Sequence, residues 1–542
     1  MSSSRAVIDL GSNSFRLVVF TTGEGGWWKR TDELSDMVRL GGELTSEGCL
    51  SEARMAHALE TLRVFAAFCS TSGIGVDQVD AVATSAIRDA PNGGAFVARA
   101  QDETGLAIRV LSGEEEALYS YVAAANSTSI SDGIVLDLGG GSLELVQVRE
   151  RRAGAIASWP LGAVRATERY LPSDGPVEAK PIAKLHARTL KALDADAPWV
   201  VEAGASGASL VGLGGSVRNL AAAAIRVADL PLDSVQGFVL GRDALDALVE
   251  ELAGRPPEER ERVPGIKRGR GEVILAAAVV MRAVLEASGA DGIEVTEAGL
   301  REGVFLTGLL APADPPLVPC VRMTSVRNLA RQHGVDLVHA EHIAGLARQL
   351  LEALPGAGLP EPGEPELVEA AALLHDVGMA VDYDDHHKHS SYLILGSGLP
   401  GFTPREVALI ALMARYHRKG TPSLGALAPL CREGDEQLVL RGAALLRITE
   451  QLERNRDQVV RAARLTRPGG KSGDVELELD AVGDDTVARW GAERQGELFE
   501  RAFGAPLRVV ARHRELSEFD VRRDIDGSAA EFEANRRGTI PE

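Results

Sequence analysis

The stretch Ile134–Val148, IVLDLGGGSLELVQV, decides how this chain reads. An apolar run ends in Asp137, turns through Gly139, Gly140, Gly141 and Ser142, and resumes with Leu143, Leu145 and Val146. That is a strand, a glycine turn and a second strand. Glycines let backbone N–H groups face a bound anion, and an aspartate at a strand end is placed to hold a metal ion or its waters. The same glycines would also serve a hairpin that merely turns.

The beginning of the chain repeats the pattern. In Ala6–Phe20, AVIDLGSNSFRLVVF, the segment Asp9, Leu10, Gly11, Ser12, Asn13, Ser14 sits between two apolar strands. An internal repeat predicts two similar lobes, each offering an Asp-tipped hairpin, with phosphate held between them. A third glycine turn, Gly214, Gly215 and Ser216 in SLVGLGGSVRNL, leads into a helix whose dipole would back its N–H groups.

Between the hairpins lie two charged candidates. A strand over Val79–Ser85 leads to Arg88, which can clamp phosphate oxygens bidentately or pair with Asp89 at the surface. Ser112 and Glu115 form a capping-box pattern, and Glu114 suits a helix N-terminus. Glu116 is left over, about 100° round the helix from Glu115. It is either a general base that takes a proton from water or a third solvated glutamate. The connector Pro256–Gly271 ends in Lys267, Arg268 and Arg270, a basic lip over an anionic substrate or a solvated loop.

Composition excludes several classes. A net charge of −20 argues against a protein that coats nucleic acid, yet a local basic groove can still take a polyanion. The four cysteines, Cys49, Cys69, Cys320 and Cys431, have no metal or redox spacing and suit a reducing compartment. The chain runs from MSSSRAVIDLGS straight into a strand without a signal peptide, and the apolar Val273–Leu285 is too short to span a bilayer. A cytoplasmic protein with no nucleic-acid or membrane partner is expected.

Beyond Pro312–Pro316 the pattern becomes helical, over Ser325–His333, Val338–Leu354, Glu366–His375, Arg405–His417 and Gln437–Glu453. All of the 11 histidines but His57 and His186 lie after residue 330. His342, His375-Asp376, His386-His387-Lys388-His389 and Tyr416-His417-Arg418 could converge on a divalent metal, or be buried His–Asp pairs. From Ala462 to Ala511 the pattern reads strand, strand, helix, strand, and the residues from about Ser517 are charged and poor in large apolar groups.

Taken together, these motifs identify a resemblance. DLGSNSFRLVV, ATSAIRDAPN, SGEEEA, DLGGGSLEL, GLGGSVRNLA and GLREGV (Asp9–Val304) resemble, in order, those of the exopolyphosphatase/guanosine pentaphosphate phosphohydrolase family, Ppx/GppA. The resemblance implies an α/β, two-lobed actin-like ATPase fold of the sugar kinase, Hsp70 and RNase H-like type. An all-α HD-like domain and a small α+β C-terminal domain would follow. The expected division is lobe I over 1–122, lobe II over 123–311 with its last helix packing back on lobe I, the HD-like domain over 317–457, the α+β domain over 458–515 and a charged tail over 516–542. Asp9, Asp137 and Glu144 would then place Mg2+, or Mn2+ in its place, with K+ a further candidate cation. Gly11, Ser12, Asn13, Ser14, Gly139, Gly140, Gly141, Ser142, Gly214, Gly215 and Ser216 would bind phosphate, with Arg88 as clamp and Glu116 as the catalytic glutamate.

The family often has threonine where Leu143 stands, and Arg-Ala-Asp in place of Arg270-Gly271-Glu272. HD hydrolases carry a second aspartate where this chain has Glu450, so a second metal site would use His342, His375, Asp376 and Glu450. The longer family members suggest a homodimer and a groove for polyphosphate along Lys267, Arg268, His387, Lys388, His389, Arg418 and Lys419. The expected reaction is release of terminal phosphate from inorganic polyphosphate, or from guanosine pentaphosphate (pppGpp) at the same site. Rival readings are an actin-like ATPase or sugar kinase, a non-catalytic alarmone sensor, and an enzyme whose chemistry lies in the HD-like half.

Overall fold

The structure is a computed structural model and describes residues 2–41, 48–205, 207–353, 363–468 and 473–513. The expected tail over 516–542 lies outside them. The chain divides into two compact units, residues 1–332 with 394–408, and residues 333–393 with 409–542.

In the first unit, the apolar alternation on either side of each glycine turn makes a hairpin. β1 (Ser3–Leu10) runs antiparallel to β2 (Phe15–Thr22), which pairs with β3 (Trp28–Asp36). β4 (Val79–Ala83) and β5 (Ile108–Val110) extend the other edge in parallel, giving the order β3-β2-β1-β4-β5. The second sheet repeats this scheme. β6 (Gly133–Leu138), β7 (Leu143–Arg149) and β8 (Arg152–Trp159) form a meander, β9 (Ser209–Leu213) lies parallel to β6, and β10 (Val239–Gly241) and β11 (Gly292–Val295) complete the order β10-β11-β9-β6-β7-β8. The registers match as well: Asp9 faces Arg16 across the first hairpin, and Asp137 faces Glu144 across the second. Two mixed α/β sheets of common topology give the two-lobed, duplicated arrangement.

One apolar cluster joins the two lobes. Val7, Val18 and Val82 of the first sheet meet Val135, Val146 and Val211 of the second through Ala117, Tyr121 and Ala124 of the helix Gly113–Ala125. The helix Leu300–Leu309 packs on that helix and on β1. The strand expected to reach Ser85 ends at Ala83, and Arg88 sits instead on the short helix Ser85–Asp89.

The first unit extends past the expected boundary. Asn328 and Gln332, on the helix Val321–Gln332, hydrogen-bond the backbone of Trp28, and residues 394–408 return through Gly401, whose N–H donates to the Ser127 carbonyl. The second unit holds the helices Leu337–Glu352, Glu364–Leu374 and Asp435–Leu452. Its three-stranded sheet, β12 (Val460–Thr466), β13 (Val475–Ala481) and β14 (Leu507–His513), belongs to the same compact body rather than standing as a separate appendage. The helices Thr486–Glu493 and Gly496–Phe503 tie it to Asp435–Leu452. Among the described residues no helix is long and apolar enough to cross a membrane.

Candidate active site

The three glycine turns meet at one cleft in the first unit. Its lining includes Asp9, Gly11, Ser12, Asn13 and Ser14 from the first hairpin, and Asp137 with Gly139 to Ser142 from the second. Gly214 and Gly215 come from the start of the helix Gly215–Val227. Two glycines are demanded by space. At Gly141 a Cβ would overlap Ser85 Oγ, and Gly214 has φ +105°, where a Cβ would also press to 2.6 Å from the Leu138 carbonyl oxygen. Ser12 and Ser85 hydroxyls hydrogen-bond at 2.9 Å and pin the first turn. Ser216 is buried behind the turn and does not line the cleft.

The three consecutive glutamates of SGEEEA divide as helix geometry requires. Ser112 Oγ accepts from the Glu115 N–H, and Glu115 Oε2 accepts from the Ser112 N–H at 2.8 Å, which completes the capping box. Glu114 is exposed. Glu116 turns inward to the cleft, and Ser120, one helical turn on, faces the same way and donates to Asp137 Oδ2. Arg88 Nη1 donates to Glu116 Oε2 and to the Leu111 carbonyl, both at 3.0 Å. Arg88 is therefore held against Glu116 and is not among the residues lining the cleft.

Four carboxyls crowd this region, and burial pushes all of them up. Glu116 rises to about 7, chiefly by burial, against the stabilising hydrogen bond from Arg88. Asp9 and Asp137 rise for the same reason, opposed by Arg301 and Arg16 at Asp9 and by Ser120 and Arg218 at Asp137. Glu144 rises well above its ordinary range, through burial and then the nearby Glu116 and Asp137. It is 1% exposed, accepts from Ser158 Oγ at 3.0 Å, and lies behind the turn rather than on the cleft wall. Asp9 and Asp137 do line the cleft, and their oxygen donors suit a hard cation. They do not form a closed cage: the donor groups of three or more found among the described residues are all in the second unit. Mg2+ fits such an open site, since it usually takes one or two carboxylates and keeps waters or substrate oxygens as its other ligands.

Arg16, Arg218, Arg270 and Arg301 also line the cleft. Arg301 Nη1 lies 3.4 Å from Asp9 Oδ2. Arg270 is lowered to about 10 by burial and by the charges of Arg16 and Arg218, and Arg218 is lowered by burial and Arg301. Guanidiniums that repel one another inside a cleft are matched by a polyanion. Sequence reading passed over Arg16, Arg218 and Arg301, although each stands within a quoted motif. Of the basic connector, Arg270 reaches the cleft while Lys267 and Arg268 point to solvent.

In the second unit, His375, Asp376 and Glu450 come together, but the histidine beside them is His339 rather than His342. His342 instead approaches the Val460 carbonyl at 2.9 Å and Glu453 at 3.6 Å. Among the expected groove residues, His387 is buried, and burial with the Lys419 charge lowers it to about 4, so it brings no positive charge. Lys388 and Lys419 both pair with Asp385, at 2.6 and 2.9 Å. Arg418 stacks on Tyr383, and His389 is half-buried against Gly378.

Residues 18–311 match the Ppx/GppA phosphatase family, and residues 321–485 match its domain III. A solved exopolyphosphatase from Cytophaga hutchinsonii is 23% identical over 57% of this chain and 98% of its own, with a TM-score of 0.52, a likeness of fold. The Aquifex aeolicus Ppx/GppA family member is 29% identical over 57% of this chain and 98% of that one, with a TM-score of 0.49.

Proposed function

The chain belongs to the Ppx/GppA phosphatase family, and on that premise we propose that its cleft releases terminal orthophosphate from inorganic polyphosphate. The observation that carries this is Glu116: a buried carboxyl with a pKa of about 7, aimed into a cleft of glycine turns and four arginines. A base is most effective when its pKa is near the working pH.

The residues of this chain would share the work as follows. Backbone N–H groups of the glycine turns cradle the terminal phosphate, and Arg16, Arg218, Arg270 and Arg301 neutralise the phosphates behind it. Arg88 holds Glu116 in one orientation. Glu116 accepts a proton from the water whose oxygen bonds to the terminal phosphorus, as the bond from that phosphorus to the bridging oxygen breaks and the shortened chain departs with the electron pair. Asp9 and Asp137 would hold Mg2+ or Mn2+, which when bound neutralises charge on phosphate oxygens.

One feature favours an inorganic chain over pppGpp. None of the described residues lining the cleft is aromatic, so a guanine would find no ring to stack on there.

The test is phosphate release from long-chain polyphosphate and from pppGpp, wild type against Glu116→Gln. Loss of a general base predicts a fall of roughly 10²–10⁴-fold in kcat on polyphosphate with KM little changed. Release mainly from pppGpp would change the substrate and keep the site. A fully active Glu116→Gln protein would remove Glu116 as the base.

A further inference from the structure

Arg270 differs from the other three arginines of the cleft in what holds it. Arg16 pairs with Glu33 at 3.1 Å, Arg301 approaches Asp9 at 3.4 Å, and Arg218 Nη1 donates to the Glu297 carbonyl at 2.8 Å. The charges acting on Arg270 are those of Arg16 and Arg218, both of its own sign. Its guanidinium lies against the third glycine turn, with Nη2 2.6 Å from where Gly215 would carry a Cβ. A long cationic side chain among like charges would swing out to water unless its backbone were fixed.

The connector over 256–271 fixes that backbone. The Arg270 N–H donates to the Lys267 carbonyl at 3.2 Å, and the Arg270 carbonyl accepts from the N–H groups of Val273 and Ile274, both at 3.0 Å, where the helix Ile274–Ser288 begins. One acid holds the residues on either side. Glu261 Oε1 accepts from the Gly269 N–H at 2.6 Å and, more weakly, from the Gly271 N–H at 3.5 Å. A charged acceptor makes the stronger kind of hydrogen bond, and here a single oxygen brackets Arg270. Arg260, 1% exposed, donates from Nε to the Leu252 carbonyl at 2.8 Å and from Nη1 to the Gly271 carbonyl at 3.4 Å. At Gly271 a Cβ would lie 2.0 Å from the Pro257 carbonyl oxygen, so the turn follows one narrow course.

The same connector is tied to the cleft itself. Asn219, 5% exposed, accepts at Oδ1 from the Lys267 N–H and donates from Nδ2 to the Gly215 carbonyl, both at 2.7 Å. One amide side chain thus joins the third glycine turn to the loop that carries Arg270. Neither Glu261 nor Asn219 lines the cleft.

We infer that Glu261 is a positioning residue for Arg270: its carboxylate, outside the cleft, holds the turn over 269–271 so that the guanidinium stands ready for substrate phosphate. Asn219 sets the distance of that turn from the third glycine turn. Folding orders the side chain in advance, so binding gains the contact without the entropy cost of ordering it. The inference rests on the reading that the cleft takes a phosphate chain.

The experiment measures phosphate release from long-chain polyphosphate by the full chain, for wild type, Glu261→Ala, Glu261→Gln, Arg270→Ala and the Glu261→Ala/Arg270→Ala pair. KM should rise about 10-fold in Glu261→Ala with kcat little changed. Glu261→Gln keeps an acceptor oxygen for the same N–H groups and should restore most of that loss. The double variant should match Arg270→Ala, because Glu261 then has nothing left to position. Circular dichroism checks folding, and should Glu261→Ala unfold, Asn219→Ala releases the Lys267 end of the loop and enters the same cycle. KM rises that multiply in the double variant, or a wild-type KM in the folded single variant, would overturn the assignment. A crystal structure of the folded single variant separates this inference from the choice of substrate. Arg270 displaced from Gly215 supports it even if the wild type releases phosphate only from pppGpp, and Arg270 unmoved overturns it.

Discussion

In the cleft, Asp9, Asp137, Glu116 and Glu144 are buried more fully than they are neutralised, and all of them are pushed above their ordinary range. In the second unit, burial works equally against Asp376 and Glu450, yet their histidines overcome it and both are held below that range. His375 answers in kind: despite burial, Asp376 and Glu450 raise it to about 9. In the first cluster Arg301 meets Asp9 at 3.4 Å and Arg88 meets Glu116 at 3.0 Å, yet burial still outweighs these contacts at the acids. In the second, His375 pairs with both Asp376 and Glu450, so the charge is settled within the cluster. The first cluster is left for an outside ligand to neutralise, whereas the second is neutralised from within.

Breaking the internal pairing should have the largest effect on stability. Asp376→Asn, in chelator, leaves His375 and Arg456 without their shared carboxylate and is expected to cost roughly 3 kcal/mol, as removal of one partner from a buried ion pair does. Denaturant unfolding of the second unit reads this, and an unchanged midpoint would mean that the cluster is not held by charge. In the cleft the corresponding deletion should help stability and harm function. Arg270→Ala removes a guanidinium repelled by Arg16 and Arg218, so Tm should hold or rise while KM for polyphosphate increases by about 10–100-fold, the worth of one charge-assisted contact. A fall in both would show that Arg270 is structural, a post against Gly215, from whose Cβ position its Nη2 lies 2.6 Å.

The smallest effect is the most specific in pH. Glu144 has a folded pKa above its ordinary 4.5, so its contribution to stability is complete below about 4.5 and is lost as pH rises through the folded value. Glu144→Gln should therefore match wild type at pH near 4 and exceed it at pH near 8 by about 1 kcal/mol, about 2 °C in Tm. Calorimetry in chelator at the two pH values decides it. A variant less stable at both would show that the hydrogen bond from Ser158 outweighs the cost of burial.

Elements with a local signal, a cap or a long apolar run, were legible. The helix Glu52–Thr71 starts at Ser51, whose Oγ accepts from the Arg54 N–H, and Ile274–Ser288 is apolar on nearly every face because it is buried on nearly every face. Two strands were not. β3, WKRTDELSD, is an edge strand with exposed side chains along most of its length, so it carries no alternation and forms because β2 offers it a ladder. β8 is likewise an edge strand that pairs with β7 and closes with Trp159. The capping box at Ser112 and Glu115 is local, within one helical turn, and could be read before any fold was known.

The sequence by itself determined the two Asp-tipped hairpins and Glu116 as the glutamate left over by the cap, because each depends on residues within a short stretch of chain. It could not decide which arginines face the cleft, since Arg16, Arg218, Arg270 and Arg301 meet only when both lobes and the helix Leu300–Leu309 are in place. Nor could it choose between His339 and His342. Three residues apart on one helix, they lie about 60° apart around its axis, and only the packing of Leu337–Glu352 against Asp435–Leu452 turns His339 toward Glu450 and leaves His342 to Glu453. Spacing along a chain names the residues able to do chemistry, and the burial of apolar faces selects which of them meet.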